Sequence, residues 1–448
     1  MTIMLDNLKN SVRGLADKMA DKATEVNAKM AQKNATDPAD QYLVALDIGT
    51  EFVKALVGKV EGDGVTIIGV GRQRQGLSDM QAGAIADIAG VVTNCDTALA
   101  QAEEQAGVSV RTAFIGIAGE LVKGTTTTVR VTRKSADKAL DLAEMEKIIK
   151  LVQARAEAKA KKMLAWELGG KEVEVRLVNS ALVGIEIDGY KVTSPIGFQG
   201  KEVVVQLYTA FAPLIHIGAL ERTAQQLDLD LLAVAAEPFA VARSVIGDDT
   251  SASMNAILMD VGGGTTDIAV ITDGGVQGTK MFGIGGRAYT RGIERDLNIE
   301  FSQAEAMKVG LSEGRVPQNK TAAVEGALNK TLDVWMSGVE LALGEFEKLD
   351  NLPHKLLLCG GGSSLDSLMD KLESGNWYAS LPFTRKPSVQ HINPDQVVGI
   401  VDQTGHVNDH TFITAMGLLR VGLDTLQFST TPDKGGSLRS KLDKVLRV

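Results

Sequence analysis

Residues Ala256–Ile271 read AILMDVGGGTTDIAVI. An apolar run ends in Asp260, three glycines and two threonines, and then resumes. That order specifies a buried strand, a tight corner and a returning strand. The turn DGG (Asp273–Gly275) and VQGTKMFGIG (Val276–Gly285) supply a third strand. The same unit stands near the start of the chain: LVALDIGTEFVKALVGKV (Leu43–Val60), the turn GDG (Gly62–Gly64), then VTIIGVG (Val65–Gly71). Each copy is an apolar strand ending in Asp, glycine and threonine, followed by a hairpin back. A chain with two such units is expected to fold as two similar α/β halves that face one another.

The remainder of the sequence bounds what these halves do. The chain has 448 residues, 44% apolar and 23% charged, an ordinary globular balance with ample length for a core without staples. Its only cysteines, Cys95 and Cys359, have no pairing or ligand spacing, which excludes a disulfide scaffold and a thiolate zinc site. A net charge of −9 argues against a nucleic-acid partner, because phosphate contacts need clustered cations. MTIMLDNLK carries Asp6 and has no apolar signal region, so a cytoplasmic location is expected. The uncharged span Val203–Leu220 is long enough to cross a bilayer, but its β-branched start and Pro213 specify a buried strand turning into a helix.

The expected organisation follows from composition. Residues 1–40 form a helical extension and linker, with Leu5, Leu8, Val12, Leu15 and Met19 on one helical seam. The first half takes 41–81 and 206–240, closed by part of 395–425. The second half takes 241–394. Between them, 82–205 is read as an inserted subdomain for protein contacts, because two facing halves do not require it. A linker over 426–436 precedes a terminal segment, 437–448.

The glycine corners carry the chemistry. In VGGGTTD, Gly262, Gly263 and Gly264 let backbone N–H groups approach an anion, and Thr265 and Thr266 add hydroxyl donors. In DIGT, Gly49 and Thr50 do the same more sparsely. Two such corners face to face form a clamp for adjacent phosphates. Asp47 and Asp260 at the strand ends suit hydrated magnesium, which keeps several waters and needs few carboxylates. Lys54, seven residues after Asp47, either reaches a phosphate oxygen or is a solvated strand residue. A third corner, LLLCGGGSSLDSL, places Gly360, Gly361, Gly362 and Ser363 between a strand and a helix, with Ser363 or Ser364 as its cap. GIGGRAYTRGI (Gly283–Ile293) imitates a dinucleotide fingerprint, but it follows a hairpin and is expected to be a tight turn.

DIGT, VGGGTTD and LCGGGSS, in that order, resemble the two phosphate motifs and the adenosine motif of the actin-like ATPase superfamily. Within it the chain most resembles the bacterial division family FtsA, over roughly 42–425. The segments VKALVGKVEGDGVTIIGVG, GLSDMQAGAIADI, AFIGIAGELVKGTTTTVRV, SPIGFQGKEVVVQLYTAF and AMGLLRVG carry this likeness. The resemblance implies a duplicated actin-like, ribonuclease-H-like ATPase fold with an FtsA-type inserted subdomain. It also implies ATP and magnesium as cofactors, with hydrolysis slow at most. EPFAVARSV resembles the connecting helix, which gives Glu237 the place of the residue that positions the attacking water. EAMK resembles the helix beside the nucleoside and assigns Glu305 and Lys308 to it. The implied partners are FtsZ, further copies of the chain, other division proteins through the insert and the cytoplasmic face of the membrane at the division site. The long N-terminal extension and a longer stretch over 154–186 depart from the family pattern. EPFAVAR and the Lys54 position are more similar to PilM, which keeps a pilus adaptor as the alternative.

The end of the chain points the same way independently. In SLRSKLDKVLRV, Leu438, Leu442, Val445 and Leu446 share one helical face, and Arg439, Lys441, Lys444 and Arg447 occupy the rest. A basic amphipathic helix after a linker is expected to lie on an acidic membrane surface. A metabolite kinase would need an acid or arginine cluster for its substrate in the first half, and no such motif is present.

Overall fold

The computed structural model describes residues 41–246 and 254–430. The helical seams expected over 5–19 and 438–447 lie outside the described residues. The first half opens with the antiparallel strands β1 (Gln41–Ile48), β2 (Phe52–Glu61) and β3 (Gly64–Arg74). A small ribbon, β4 (Met80–Gln81) and β5 (Ala84–Ile85), leads into helix α1 (Ile88–Ala106) and strand β6 (Thr112–Ile117). Then come β7 (Lys123–Thr132), α2 (Leu142–Glu167), β8 (Val175–Ile187), β9 (Tyr190–Lys191) and β10 (Glu202–Pro213). The chain continues through α3 (Leu214–Gln226), β11 (Asp230–Ala236) and α4 (Glu237–Ile246).

The second half repeats the hairpin as β12 (Ala256–Val261), β13 (Thr266–Thr272) and β14 (Gly275–Phe282). It adds α5 (Gly286–Leu297), α6 (Phe301–Ser312), α7 (Gln318–Gly344), β15 (Lys355–Cys359), α8 (Asp366–Ser374) and β16 (Ser388–His391). β17 (Ile400–Asp402) and α9 (Ile413–Thr430) return to the first half.

The duplication expected from the two hairpins is present strand for strand. Among the described residues one sheet runs β11-β6-β1-β2-β3-β17. The other contains β16-β15-β12-β13-β14 in the matching order. In each, an antiparallel three-strand meander is flanked by two strands parallel to its first. The apolar runs are continuous because both faces are covered: Leu43, Val44, Ala45 and Leu46 are fully buried, as are Ile257 and Met259. One apolar cluster fills the first half, and another packs Trp335, Leu332 and Tyr289 against β12 and β13.

The insert differs from its expected bounds of 82–205. β6 pairs with β1 from Val44–Ala113 to Leu46–Ile115 and also with β11, so α1 and β6 belong to the first half. The inserted sheet is β7-β10-β8-β9, covered by α2 with its own apolar cluster, and β10 runs on to Pro213. In RTAFIGIAGELVKGTTTTVRVTR two strands follow each other closely, and local periodicity does not say that they enter different sheets. The insert also continues the second half's sheet, through pairs of Gly278 with Thr125 and Thr279 with Gly124. The apolar span from Val203 is a buried strand turning into a helix at Leu214. No described helix is long and apolar enough to cross a membrane.

Candidate functional site

The hairpin register sets the site. Asp47 faces Lys54 across β1 and β2, and Asp260 faces Asp267 across β12 and β13. Directly opposed residues share a sheet face, so each hairpin presents a pair of ionisable groups. Lys54 Nζ donates to Asp47 Oδ2 at 2.7 Å, with the lysine side chain 13% exposed. It is therefore a cleft-lining ammonium paired with Asp47 and not a solvated strand residue. Thr414 of α9 donates its hydroxyl to Asp260 Oδ2, which ties the second hairpin to the first half.

The corners meet where side chains are missing. A Cβ on Gly264 would stand 2.5 Å from Thr50 Oγ1, so the two turns touch only because that position is glycine. Gly360 has φ 80° and ψ 153°, a region that essentially only glycine occupies. Its Cβ would fall 2.1 Å from Asp260 Oδ1.

Between the halves lies a cleft of about 360 Å³, within the usual size range of small-molecule sites. Of the residues expected from sequence, it is lined by Asp47, Gly49, Thr50, Lys54, Glu237, Asp260, Gly262, Gly263, Thr265, Glu305, Lys308, Gly360, Gly361 and Gly362. Three others stand elsewhere. Gly264 sits in the contact between the corners. Thr266 turns into the second half, where it donates to Ile284 O at 2.7 Å and accepts from Trp335 Nε1 at 2.8 Å. Ser363 is buried and donates to Gly360 O at 2.7 Å. Neither serine caps a helix: Gly361–Ser364 form a 3₁₀ turn, Leu365 precedes α8, and Ser364 bonds His410 Nε2 at 2.9 Å.

Glu237 opens α4 and is 7% exposed. Neighbours hold it from both sides. Asn179 Oδ1 of the insert accepts the Ala236 N–H at 2.7 Å, and Phe239 stacks on Tyr208 of β10 at 5.5 Å. Further along α4, Arg243 bonds Asp424 of α9 at 2.8 Å. On α6, Lys308 Nζ donates to Glu305 Oε2 at 2.7 Å, Thr290 Oγ1 at 2.9 Å and Gly286 O at 3.1 Å. Its ammonium is therefore locked against the start of α5.

Four buried carboxyls, Asp47, Glu237, Asp260 and Asp267, surround one buried ammonium. Burial pushes Glu237 well above the ordinary carboxylate range, and Asp47, Asp267 and Asp260 add repulsion. Burial and then Asp260 do the same to Asp267. Asp260 is raised by burial and by Asp47, against the Thr414 hydrogen bond. Burial pulls Lys54 down, but the charge and hydrogen bond of Asp47 outweigh it and hold the ammonium above its usual range.

This cluster of buried carboxyl groups, costly to ionise without a counter-charge, fits a divalent cation. Asp267 Oδ1 is buried without a hydrogen-bond partner, an oxygen open to a cation or its water shell. Among the described residues no group of three or more His, Cys, Asp or Glu side chains is placed to hold a metal ion directly.

These shifts predict a stability effect. The folded protein holds protons on Glu237, Asp260 and Asp267 that the unfolded chain has already released, so ligand-free stability falls as pH rises towards the raised values. Asp267→Asn removes one such ionisable group. It is expected to stabilise the ligand-free protein by about 0.5–2 kcal/mol at neutral pH and to flatten that pH slope. Thermal unfolding between about pH 5 and 8 measures both, and a destabilised variant with the parent's slope contradicts the assignment.

Sequence reasoning missed several residues. Asp267 was legible from the hairpin register opposite Asp260. Arg287, at the start of α5, reaches across to Glu51 at 2.8 Å and to the carbonyls of Leu77 and Gly76. The stretch expected to be a tight turn thus opens a helix whose first N–H groups, from Gly286 and Arg287, bond Gly262 O and Gly263 O. The Arg287–Glu51 contact between the halves has no local signal in the sequence. Arg72 also lines the cleft.

Comparison with known proteins agrees with the geometry. The family model of the cell division protein FtsA matches residues 257–417. FtsA of Pseudomonas aeruginosa is 25% identical over 410 residues, 87% of this chain and 91% of its own. FtsA of Neisseria meningitidis is 24% identical over 403 residues, 85% of this chain and 89% of its own. Among solved structures, the PilM–PilN type IV pilus biogenesis complex contains a chain that superposes with a TM-score of 0.61 at 16% identity, covering 87% of this chain and 99% of that one. The resemblance to FtsA holds over most of the chain, and the fold is that of the actin-like ATPases.

Proposed function

We propose that this chain is an actin-like protein of the bacterial division apparatus that binds ATP with magnesium between its two halves. In this reading it self-associates and tethers FtsZ polymers to the cytoplasmic face of the membrane. The observation that carries the nucleotide part is the meeting of two equivalent hairpin corners, with Asp47 and Asp260 at their strand ends, in one cleft. The division part is supported by curated FtsA proteins that align along most of the chain.

The residues divide the work. Backbone N–H groups of the two glycine corners take the phosphates, and the third corner with Glu305 and Lys308 borders the nucleoside. Asp47 and Asp260 hold magnesium through water, with Asp267 behind them. Lys54, hydrogen-bonded to Asp47, fixes the direction in which that carboxyl points. Magnesium held there would supply positive charge beside the neighbouring carboxyls. Glu237 then stands as the base for the attacking water, its position held by Asn179, Tyr208 and the Arg243–Asp424 pair. A buried acid that favours its proton is a poor base until the cleft is filled, which suits slow, switch-like hydrolysis.

The terminal segment supplies the attachment. Arg439, Lys441, Lys444 and Arg447 contribute on the order of 1 kcal/mol each beside an acidic leaflet, and the apolar face adds to that. Such binding is weak for one copy and firm for an array. The full chain is expected to carry purified FtsZ into the pellet with anionic vesicles, whereas a chain ending at Asp433 leaves FtsZ in the supernatant. Equal sedimentation with both chains contradicts the tether and favours the pilus-adaptor reading.

A further inference from the structure

Across the first sheet, Asp47, Lys54 and Arg72 stand in register on neighbouring strands, Asp47 opposite Lys54 and Lys54 opposite Arg72. They therefore share the face that looks into the cleft, and all three line it. The row runs carboxylate, ammonium, guanidinium, and its first two members are bonded to each other. The third is not. Among the described residues, the cleft-lining cations Lys54, Lys308 and Arg287 each hold a carboxylate within salt-bridge distance, and Arg72 holds none.

The two acids closest in charge to Arg72 are engaged elsewhere. Asp409 Oδ1 accepts the N–H of Thr411 at 2.8 Å and its hydroxyl at 2.6 Å. Glu51 is held between Arg74 at 2.6 Å and Arg287 at 2.8 Å. Arg72 is still fixed in place, because its guanidinium lies over the Phe52 ring, 3.8 Å from the centroid. Phe52 also lines the cleft, two residues before Lys54 on the same strand face. A planar cation stacked on an aromatic ring leaves its edge donors free, and those donors match the oxygens of a phosphate.

We infer that Arg72, seated on Phe52, binds the phosphate chain of the nucleotide in the cleft and is a determinant of affinity for phosphorylated over unphosphorylated nucleosides. The inference rests on the ATP-binding reading above. Sequence reasoning left Lys54 open between a phosphate contact and a solvated strand position. With Lys54 bonded to Asp47, Arg72 is the cleft cation whose charge has no carboxylate partner among the described residues. Phe52 acts through Arg72 and is a positioning residue.

The test is displacement of a fluorescent ATP analogue from the full chain, with magnesium, by ATP, ADP and adenosine. Arg72→Gln is expected to weaken ATP and ADP by roughly ten- to a hundredfold, the loss of one charge-assisted contact, and to leave adenosine unchanged. Arg72→Lys keeps the charge without the planar fork and should fall between parent and Arg72→Gln; it carries the test should the glutamine variant not fold. Phe52→Leu should weaken ATP while Phe52→Tyr, which retains the ring, restores it. If the parent binds ATP and Arg72→Gln or Arg72→Lys binds it equally well, the role of Arg72 is overturned and the cleft assignment stands. If the parent itself does not bind ATP, both fall together. An equal loss for ATP and adenosine also overturns the inference, since it marks a disturbed cleft and not a lost phosphate contact.

Discussion

Asp260→Ala is expected to abolish the rise in thermal stability that ATP and magnesium confer, without unfolding the protein. At a ligand concentration about a hundred times its dissociation constant, binding to the folded state alone adds about 2.7 kcal/mol, and the variant should show none of it. Asp260 ends β12 under the third glycine corner, beside Asp267 and bonded to Thr414. Its burial raises its pKa, so losing it removes a group that is costly to ionise there as well as the Thr414 bond, and the ligand-free melting temperature should move little. Differential scanning calorimetry with and without ATP separates the two effects. A ligand-induced shift equal to that of the parent contradicts the place of Asp260 at magnesium.

The largest loss of stability at the site is expected from Gly360→Ala. The backbone there costs about 1–3 kcal/mol for any residue with a side chain, and the new methyl would press on Asp260 Oδ1 and on Val261 O, 2.6 Å away. The whole third corner must shift, taking Asp260 with it, so both melting temperature and ATP affinity should fall. Gly361→Ala is the matched control, because a Cβ at Gly361 meets nothing within 4 Å and its φ is unremarkable. That variant should melt with the parent. Equal melting of the Gly360→Ala and Gly361→Ala proteins contradicts the packing described for this corner.

The architecture was legible in the sequence because each hairpin is written in contiguous residues. Asp, glycine and threonine at the end of an apolar run specify the same corner at Asp47 and at Asp260, and the structure pairs them in one cleft. The parity of β13 was equally readable: with Asp260 opposite Asp267, Thr266 must face the other way, into Trp335. What sequence did not show depends on contacts distant along the chain. The assignment of β6 to the first sheet rests on β1 and β11, both far from it in sequence. The Arg287–Glu51 bridge and the grip of Asn179 and Tyr208 on the start of α4 exist only once the halves and the insert are assembled. Ser363 misled for a different reason. Glycines followed by serines commonly open a helix, but here the peptides wind into a 3₁₀ turn and α8 starts later, at Asp366.

The grip on α4 also changes how the insert should be probed. Removing 82–205 would delete β6 and leave β1 and β11 without the strand between them, so loss of folding is expected regardless of the insert's role. Substitutions on the outer face of the inserted sheet address partner contacts without that defect.

The central claim is that two hairpin corners and their aspartates form one magnesium-dependent ATP site. Isothermal titration calorimetry of the full chain with ATP, in magnesium and then in excess chelator, tests it most directly. The account predicts saturable binding of one ATP per chain with magnesium and a marked loss of affinity in chelator, since four buried carboxyls then face the phosphates with Lys54 alone among them. Absence of binding in magnesium, or an affinity unchanged by its removal, would contradict it.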